Sequence, residues 1–474
     1  MTFDTSLIIP ELFQLLIIAL LFIQSVGKSS WGPKVSAWLP FMAAIGVVLT
    51  FTSLNSEGLI FWKAYKVDAL SQFFKLAISA GFLVTVINAV RQPTLRKDKT
   101  TDYFLFLALS AWGLMLLSSA VELLTIYLAL ELSSYSLYTV IALRGESRQA
   151  AEAGIKYILF GAVATALALY GFSYILAGVH TTYLSELIKA DWTFSASPMA
   201  VTGMGLFLAG MFYKLALFPF HFWCPDVYQG ASNETAAFVA TLPKLGSVVI
   251  LVRLAAMFKP GYDITTVIAV LGALSMTFGN LAALAQRDVK RILGYSSVAH
   301  AGYIMIGLVS GTPEGLAASS FYALAYVAMN LTCFWVVSRV ASDGRNLDLD
   351  DLNGLYRRAP ALAFALAVGA FALVGLPPMA GFMGKLFLFS AGWNHGYNWL
   401  VIIAGINTAI SIYYYLGLVR HAYTKDEAED LPLPDTTAFS LVGAGVLSIV
   451  VLALGILPAQ TFDFVVAAGS SIIH

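Results

Sequence analysis

The sequence predicts an all-α polytopic membrane protein of about fourteen transmembrane helices, two of them broken. Three observations carry that reading. Of 474 residues, 59% are hydrophobic and only 11% are charged, where a soluble domain averages about 25% charged; the mean hydropathy is +0.79. The apolar runs reach about 20 residues without the strict alternation of a barrel strand, and lipid admits only helices or closed barrels. Lysine and arginine, finally, segregate cleanly by loop.

The spans lie in order at 6–26, 35–53 and 68–90, then at 103–119, 121–143, 154–178, 198–220 and 235–257. A second group follows at 263–285, 289–309, 315–340, 360–393 and 398–419, and a last span at 437–458. The seventh holds Pro219 and the twelfth Pro377 and Pro378. Proline removes a helix donor and kinks or breaks the helix, and breaks at membrane depth line a cavity or an ion path. Seventeen of the 27 Lys and Arg, Lys28, Arg144 and Arg345 among them, fall in loops after odd-numbered spans, four fall after even-numbered spans and six inside spans. The odd loops are therefore expected in the cytoplasm and both termini on the other side. The expected organisation is three leading helices (1–102), a first repeat of helices 4–8 (103–257), a second repeat of helices 9–13 (258–421) and a terminal helix (422–474). The connections near 342–359 and 421–436 are short and polar, so no soluble domain is expected between spans.

Several function classes fall away. The 27 basic and 27 acidic side chains cancel, which leaves no nucleic-acid footprint. Cys224 and Cys333 stand far apart, so no C-x-x-C pair offers a zinc or iron–sulfur site and no metal is expected. No G-x-G-x-x-G follows a strand and no Walker A loop is present. The N-terminal span lacks a basic leader and a small-residue cleavage site, so no cleaved signal peptide is expected.

What sets the chain apart is a series of ionisable residues inside the spans: Glu131, Lys156, Lys214, His221, Lys244, His300 and Lys385. An ionised side chain at mid-membrane costs several kcal/mol on most scales, so each one asks for a reason. Lysine suits proton work because burial favours its neutral amine and a nearby carboxylate its charged form, whereas arginine stays charged. Histidine relays through either ring nitrogen near neutral pH. Structural explanations compete. Lys75 and Arg253 read as helix-holding pairs, Lys156 lies near a span end and could snorkel, and His221 with His300 could in principle ligate haem. Four interior lysines against one central glutamate exceed what structural pairing needs.

Residues 209–218, AGMFYKLALF, and 380–389, AGFMGKLFLF, share six of ten letters in register, each around one lysine. Both lie in the broken spans, five spans apart, and an odd separation reverses direction through the membrane. That is the mark of an inverted repeat with a site near the midplane in each half. The copies are not strict: Pro219 follows Lys214, whereas Pro377 and Pro378 precede Lys385.

Three stretches, KLALFPFHFWCPDVYQGA at 214–231, VKRILGYSSVAHAGY at 289–303 and GLPPMAGFMGKLFLF at 375–389, resemble the antiporter-like membrane subunits of respiratory complex I, the NADH-quinone oxidoreductases. The resemblance covers about residues 60–420 and is greatest to the N type. Lysine at position 385, where the M type carries glutamate, and the lack of a long lateral helix of the L type point the same way. The resemblance implies fourteen helices with two inverted five-helix repeats and broken helices 7 and 12. It implies a proton path through Glu131 of the fifth helix, Lys214 of the seventh, Lys244 of the eighth, His300 of the tenth and Lys385 of the twelfth, with Lys156 and His221 as further relay candidates. It implies no cofactor in this chain, with NADH, FMN, iron–sulfur clusters and quinone in partner subunits, and a bacterial inner membrane as its place. One departure is GASNETAAF at 230–238, where relatives usually continue with a proline-rich G-A-P-x-P.

The expected mechanism is electrostatic. Two unit charges ~8 Å apart interact by about 2 kcal/mol at an effective dielectric of ~20, enough to switch a poised lysine. The alternatives are a cation/proton antiporter subunit of the Mrp type and a scaffold whose buried charges only hold helices together.

Overall fold

The computed structural model describes residues 5–27, 34–145, 147–393, 395–425 and 433–473. Lys28 and residues 426–432 of the connection near 421–436 lie outside the described residues. Among the described residues, thirteen helices are long and apolar enough to cross a membrane. The fourteenth crossing is made by two shorter helices in tandem. The expected count and helical class therefore hold.

The leading helices are α1 (Ile9–Val26), α2 (Val35–Thr52) and α3 (Ala69–Ala89). Next come α4 (Thr100–Ser119), α5 (Leu123–Ala142), α6 (Arg148–Val179), the single turn α7 (Leu184–Leu187), α8 (Pro198–Leu215), α9 (Trp223–Gly230) and α10 (Asn233–Ala255). They are followed by α11 (Asp263–Leu284), α12 (Val289–Val309), α13 (Pro313–Val340), the short α14 (Leu355–Arg358), α15 (Pro360–Val374), α16 (Ala380–Trp393) and α17 (Asn398–Ala422). The chain closes with α18 (Ala438–Ile456) and α19 (Pro458–Ile473).

Three features go beyond the sequence reading. An antiparallel hairpin, β1 (Gly58–Ile60) with β2 (Tyr65–Val67), sits between α2 and α3, with Gly58 opposite Val67. Its turn holds Phe61, Trp62 and Lys63 at positive φ. The seventh span ends at Leu215 rather than 220; Ala216 turns left-handed at φ 62°, and the separate helix α9 resumes after Pro219. The last span does not end the helical chain, because Pro458 starts α19, which packs on α13 and α3. A proline at the first helical position loses no helix bond and has its φ preset.

The loops sort onto two faces. Arg144 donates to the Gly344 carbonyl, Asn233 to that of Arg345, and the backbone N–H groups of Val289 and Asp435 to those of Leu347 and Arg339. All of these lie in the loops after odd-numbered spans or at the helix ends beside them. On the opposite face Val121 N–H bonds Ala64 O, Leu123 N–H bonds Thr182 O, and Gly261 N–H bonds Tyr397 Oη, and these lie in the loops after even-numbered spans or at the helix ends beside them. Among the described residues no such bond joins a residue of one set to the other, as an unbroken alternation of spans requires.

Depth of burial sets the environment of the ionisable residues. α10 is buried along its whole apolar window and α12 and α13 nearly so, while α6 and α17 turn most of their surface outward. Lys75 Nζ lies 2.5 Å from Glu11 Oε1, and Arg253 holds Asp68 by two bonds of 2.9 and 3.0 Å. These two cations thus tie α3 to α1 and α10 to the N-terminal cap of α3, which matches the structural role expected of them.

Candidate ion-translocation site

The broken helices bring a lysine to each end of a polar line. Lys214 occupies the last turn of α8, just before the break. Its Nζ has no hydrogen-bond partner and faces the rings of Tyr157, Tyr138 and Tyr213 at 5.5, 5.7 and 5.8 Å. Glu131 projects from α5 beside it. One carboxylate oxygen accepts from Thr165 Oγ1 at 2.8 Å, and the other is buried without a partner. Acid and base line the same cavity of about 10 Å³, about the space one water centre needs. A water there would have both unpartnered groups to bond.

Lys244 follows Pro243 within α10 and donates to Ser297 Oγ of α12. Ser297 is also bonded to Tyr326 Oη at 2.6 Å and to Tyr228 Oη at 3.1 Å, and Lys244 Nζ lies 5.3 Å from the Tyr326 ring centre. His300, one turn further along α12, is held at both nitrogens: Nδ1 to Tyr322 Oη at 2.7 Å and Nε2 to Tyr415 Oη at 3.0 Å. Since a hydroxyl both donates and accepts, this imidazole can change tautomer without losing either bond.

Lys385 ends the line. It lies on α16 but reaches back to the open end of α15, donating to Val374 O at 2.8 Å, with Leu373 O at 3.5 Å and Thr408 Oγ1 at 3.4 Å. The last carbonyls of a helix lack internal partners and carry the negative end of its dipole, so an ammonium is well placed there. Thr408 Oγ1 is bonded in turn to Tyr303 Oη at 3.0 Å, and Lys385 Nζ stands 4.4 Å from the Tyr303 ring centre.

The remaining candidates are placed differently. Lys156 is 38% exposed and pairs with Asp226 at 2.6 Å and Glu152 at 2.8 Å. Asp226 also holds Arg291 at 2.7 Å, so this network ties α9 to α6 and α12. His221 sits in the break against Phe218, Phe222 and Phe278, its Nδ1 without a partner; its aromatic box is separate from the polar line. Between Lys214 and Lys244 stands an aromatic partition. Tyr213 Oη bonds Tyr157 O, Trp223 Nε1 bonds Tyr213 O, and Tyr228 carries the partition to Ser297. Sequence reasoning missed these hydroxyls. Ser297 lay within the GYSSVAH stretch, and Tyr322 with Tyr326 at helical spacing was the available signal for the rest.

The family described as NADH:quinone oxidoreductase/Mrp antiporter, TM, matches residues 120–411. NADH-quinone oxidoreductase subunit N 2 of Solidesulfovibrio magneticus is 60% identical over 466 residues, covering 98% of each chain. A chain of respiratory complex I from Thermus thermophilus, solved with bound aureothin, shares the fold with a TM-score of 0.84 at 32% identity, over 96% of this chain and 99% of that one. A chain of the Mrp complex from Dietzia shares the fold alone, with a TM-score of 0.87 at 18% identity over 99% and 98% of the two chains. With its broken helices, its buried lysines and a relative this similar over nearly all its length, the chain belongs to the NADH:quinone oxidoreductase/Mrp antiporter transmembrane family, among its N subunits.

Proposed function

We propose that the chain is a proton-translocating membrane subunit of an NADH-quinone oxidoreductase and carries out no redox step itself. The names of its relatives support the assignment to that enzyme. The observation that carries the mechanism is Lys214, a buried cation without a partner, sharing a water-sized cavity with Glu131. A charge used only to hold helices together is paired, as Lys75 and Arg253 are, and this argues against the scaffold reading.

In the proposed cycle a charge change in a neighbouring subunit alters the attraction between Glu131 and Lys214. Lys214 passes its proton past the aromatic partition towards Lys244 and Ser297. From there the hydroxyls of Tyr326, Tyr322 and Tyr303, with His300 between them, lead to Lys385, which releases it on the far side. Lys156 holds α9 in place and His221 lines the break. NADH, FMN, iron–sulfur clusters and quinone belong to partner subunits, and other antiporter-like chains are the membrane neighbours. The membrane is the bacterial plasma membrane, with the odd loops in the cytoplasm and both termini outside. Helices 4–8 and 9–13 form the two inverted repeats. A Mrp-type exchange activity is the rival reading, which the shared fold accommodates and the identity to N subunits disfavours.

The test is Lys214→Met in the assembled enzyme. Methionine keeps the length and removes the charge. The expected result is intact assembly with proton translocation per electron clearly reduced. An unchanged proton-to-electron ratio would overturn the scheme, and sodium-dependent exchange by the isolated chain would move it to the antiporter class.

A further inference from the structure

The segment GASNETAAF at 230–238 brings an acid into the core that the scheme above does not use. Glu234 lies in the first turn of α10 and is 3% exposed. Its Oε2 has no hydrogen-bond partner, and it makes no ion pair among the described residues. The charged or titratable groups facing it are Lys290 from α12, Arg339 from α13, Arg144 from the α5–α6 connection and Tyr103 from α4. Each is committed elsewhere. Lys290 Nζ donates to Ala231 O at 2.7 Å. Arg144 donates to the carbonyls of Gln229, Gly230 and Ala231 at 3.1 Å each and to Gly344 O at 3.0 Å. Arg339 bonds Asn88 Oδ1 at 3.1 Å and pairs with Asp435 at 3.7 Å, while Tyr103 Oη bonds Thr235 Oγ1 at 3.1 Å. Glu234 thus sits in a positive field without a direct bond to any of its sources, a setting in which a carboxyl can gain and lose a proton without breaking a salt bridge.

Its position suits uptake. On the outer side its neighbour Asn233 is bonded to Arg345 O in the odd-loop face. On the inner side Thr241 lies two turns along the same helix, ahead of Lys244. On the facing α13, Asn330 sits one turn from Tyr326, and its Oδ1 is buried without a partner. Tyr326 is bonded to Ser297, the acceptor of Lys244. Buried acceptors with no donor call for a proton or a water to complete them.

We propose that Glu234 is a proton-loading residue: it takes a proton from water at the odd-loop face and hands it inward past Thr241 and Asn330 to the Lys244 amine. In each turnover the Glu234 O–H bond breaks, the proton goes to the amine through water, and the carboxylate is reprotonated from the face, so one proton moves inward. The inference rests on the translocation reading above.

The experiment compares Glu234→Gln, Glu234→Asp and Asn330→Leu in the whole enzyme, with assembly checked by intact mass, and follows proton-translocation rate against pH. A loading group matters most where protons are scarce. Glu234→Gln and Asn330→Leu are expected to lose roughly threefold or more near about pH 8.5 and little near about pH 6.5, while Glu234→Asp keeps the wild-type profile. Wild-type profiles in both altered variants overturn the proposal, and Asn330→Leu decides alone if Glu234→Gln does not assemble. Pumping that survives Lys214→Met defeats the underlying reading instead; pumping lost there with Glu234→Gln and Asn330→Leu unaffected defeats only the role of Glu234.

Discussion

At the scale of single residues, the buried lysines differ by what holds them. Lys214 has no partner, Lys244 shares a serine with two tyrosines, and Lys385 closes the open end of α15. The two lysines that match in sequence stand on opposite halves of their breaks, Lys214 before and Lys385 after, which is why the prolines fall on opposite sides of them. In the proposed cycle Lys385 therefore has two separable tasks, satisfying carbonyls and exchanging a proton. Lys385→Arg keeps a donor at the α15 terminus but stays charged at every accessible pH. The expected outcome is assembled enzyme with translocation down tenfold or more. Near-normal pumping in vesicles would reduce Lys385 to a helix cap. These lysines were legible in the sequence because a charge in an apolar run is costly and conspicuous. Ser297 and Thr408 were not, because a serine or threonine hydroxyl within a helix can bond its own backbone and carries no such penalty, and Tyr326 was not, because a tyrosine in an apolar run reads as an ordinary large buried side chain.

At the scale of elements, close backbone approach decides how the helices sit. A Cβ at Gly113 of α4 would stand 2.8 Å from Ser133 N and 3.0 Å from Ala129 O on α5. A Cβ at Gly279 of α11 would stand 2.6 Å from Ala299 N and 2.8 Å from Tyr295 O on α12. The spacing along the chain is the same in both pairs, so Glu131 of α5 and Ser297 of α12 occupy equivalent positions in sequence. The first helix of each proposed repeat thus packs on the second in the same way, which supports the repeat. Small residues let membrane helices approach this closely. Gly113→Ala and Gly279→Ala should each destabilise by about 1–3 kcal/mol through overpacking, seen as a lower thermal midpoint of the purified chain. Gly445, where an added Cβ meets nothing within 4 Å, is the control. Midpoints for all three variants equal to that of the wild type would refute the close contact.

At the scale of the whole molecule, the deep placement of α10, α12 and α13 keeps the polar line out of contact with lipid, and a low-dielectric surround is what lets a charge at one end be felt further along. The two sets of loops occupy opposite faces, so one labelling experiment fixes both. Both native cysteines are buried, leaving little background for a membrane-impermeant thiol reagent. Cysteine placed at Trp62, which is 86% exposed at the hairpin tip, should react from outside right-side-out vesicles. Cysteine at Arg345 should react only when the vesicles are inverted. The reverse pattern would invert the proposed orientation, and reaction of both from one side would break the span count.

The class, the number of crossings, the alternation of the loops and the positions of Lys75, Lys214, Lys244 and Lys385 are legible in the linear chain, whereas Lys290, which reads as a loop residue, is fully buried at the start of α12. Each legible feature follows from a rule the chain must obey locally: about 20 apolar residues per crossing, positive charge on one face, and a heavy penalty for a charge in lipid. Which charges have partners emerges from the packing of the helices. Lys75, Arg253 and Lys156 found carboxylates on distant elements, while Lys214 and Glu234 form no ion pair among the described residues. A partner across helices depends on which faces pack and at what depth, and hydropathy along the chain carries neither. The hairpin, the second half of the seventh helix and α19 were decided there too, because short segments acquire their shape from the helices they pack against rather than from a pattern of their own.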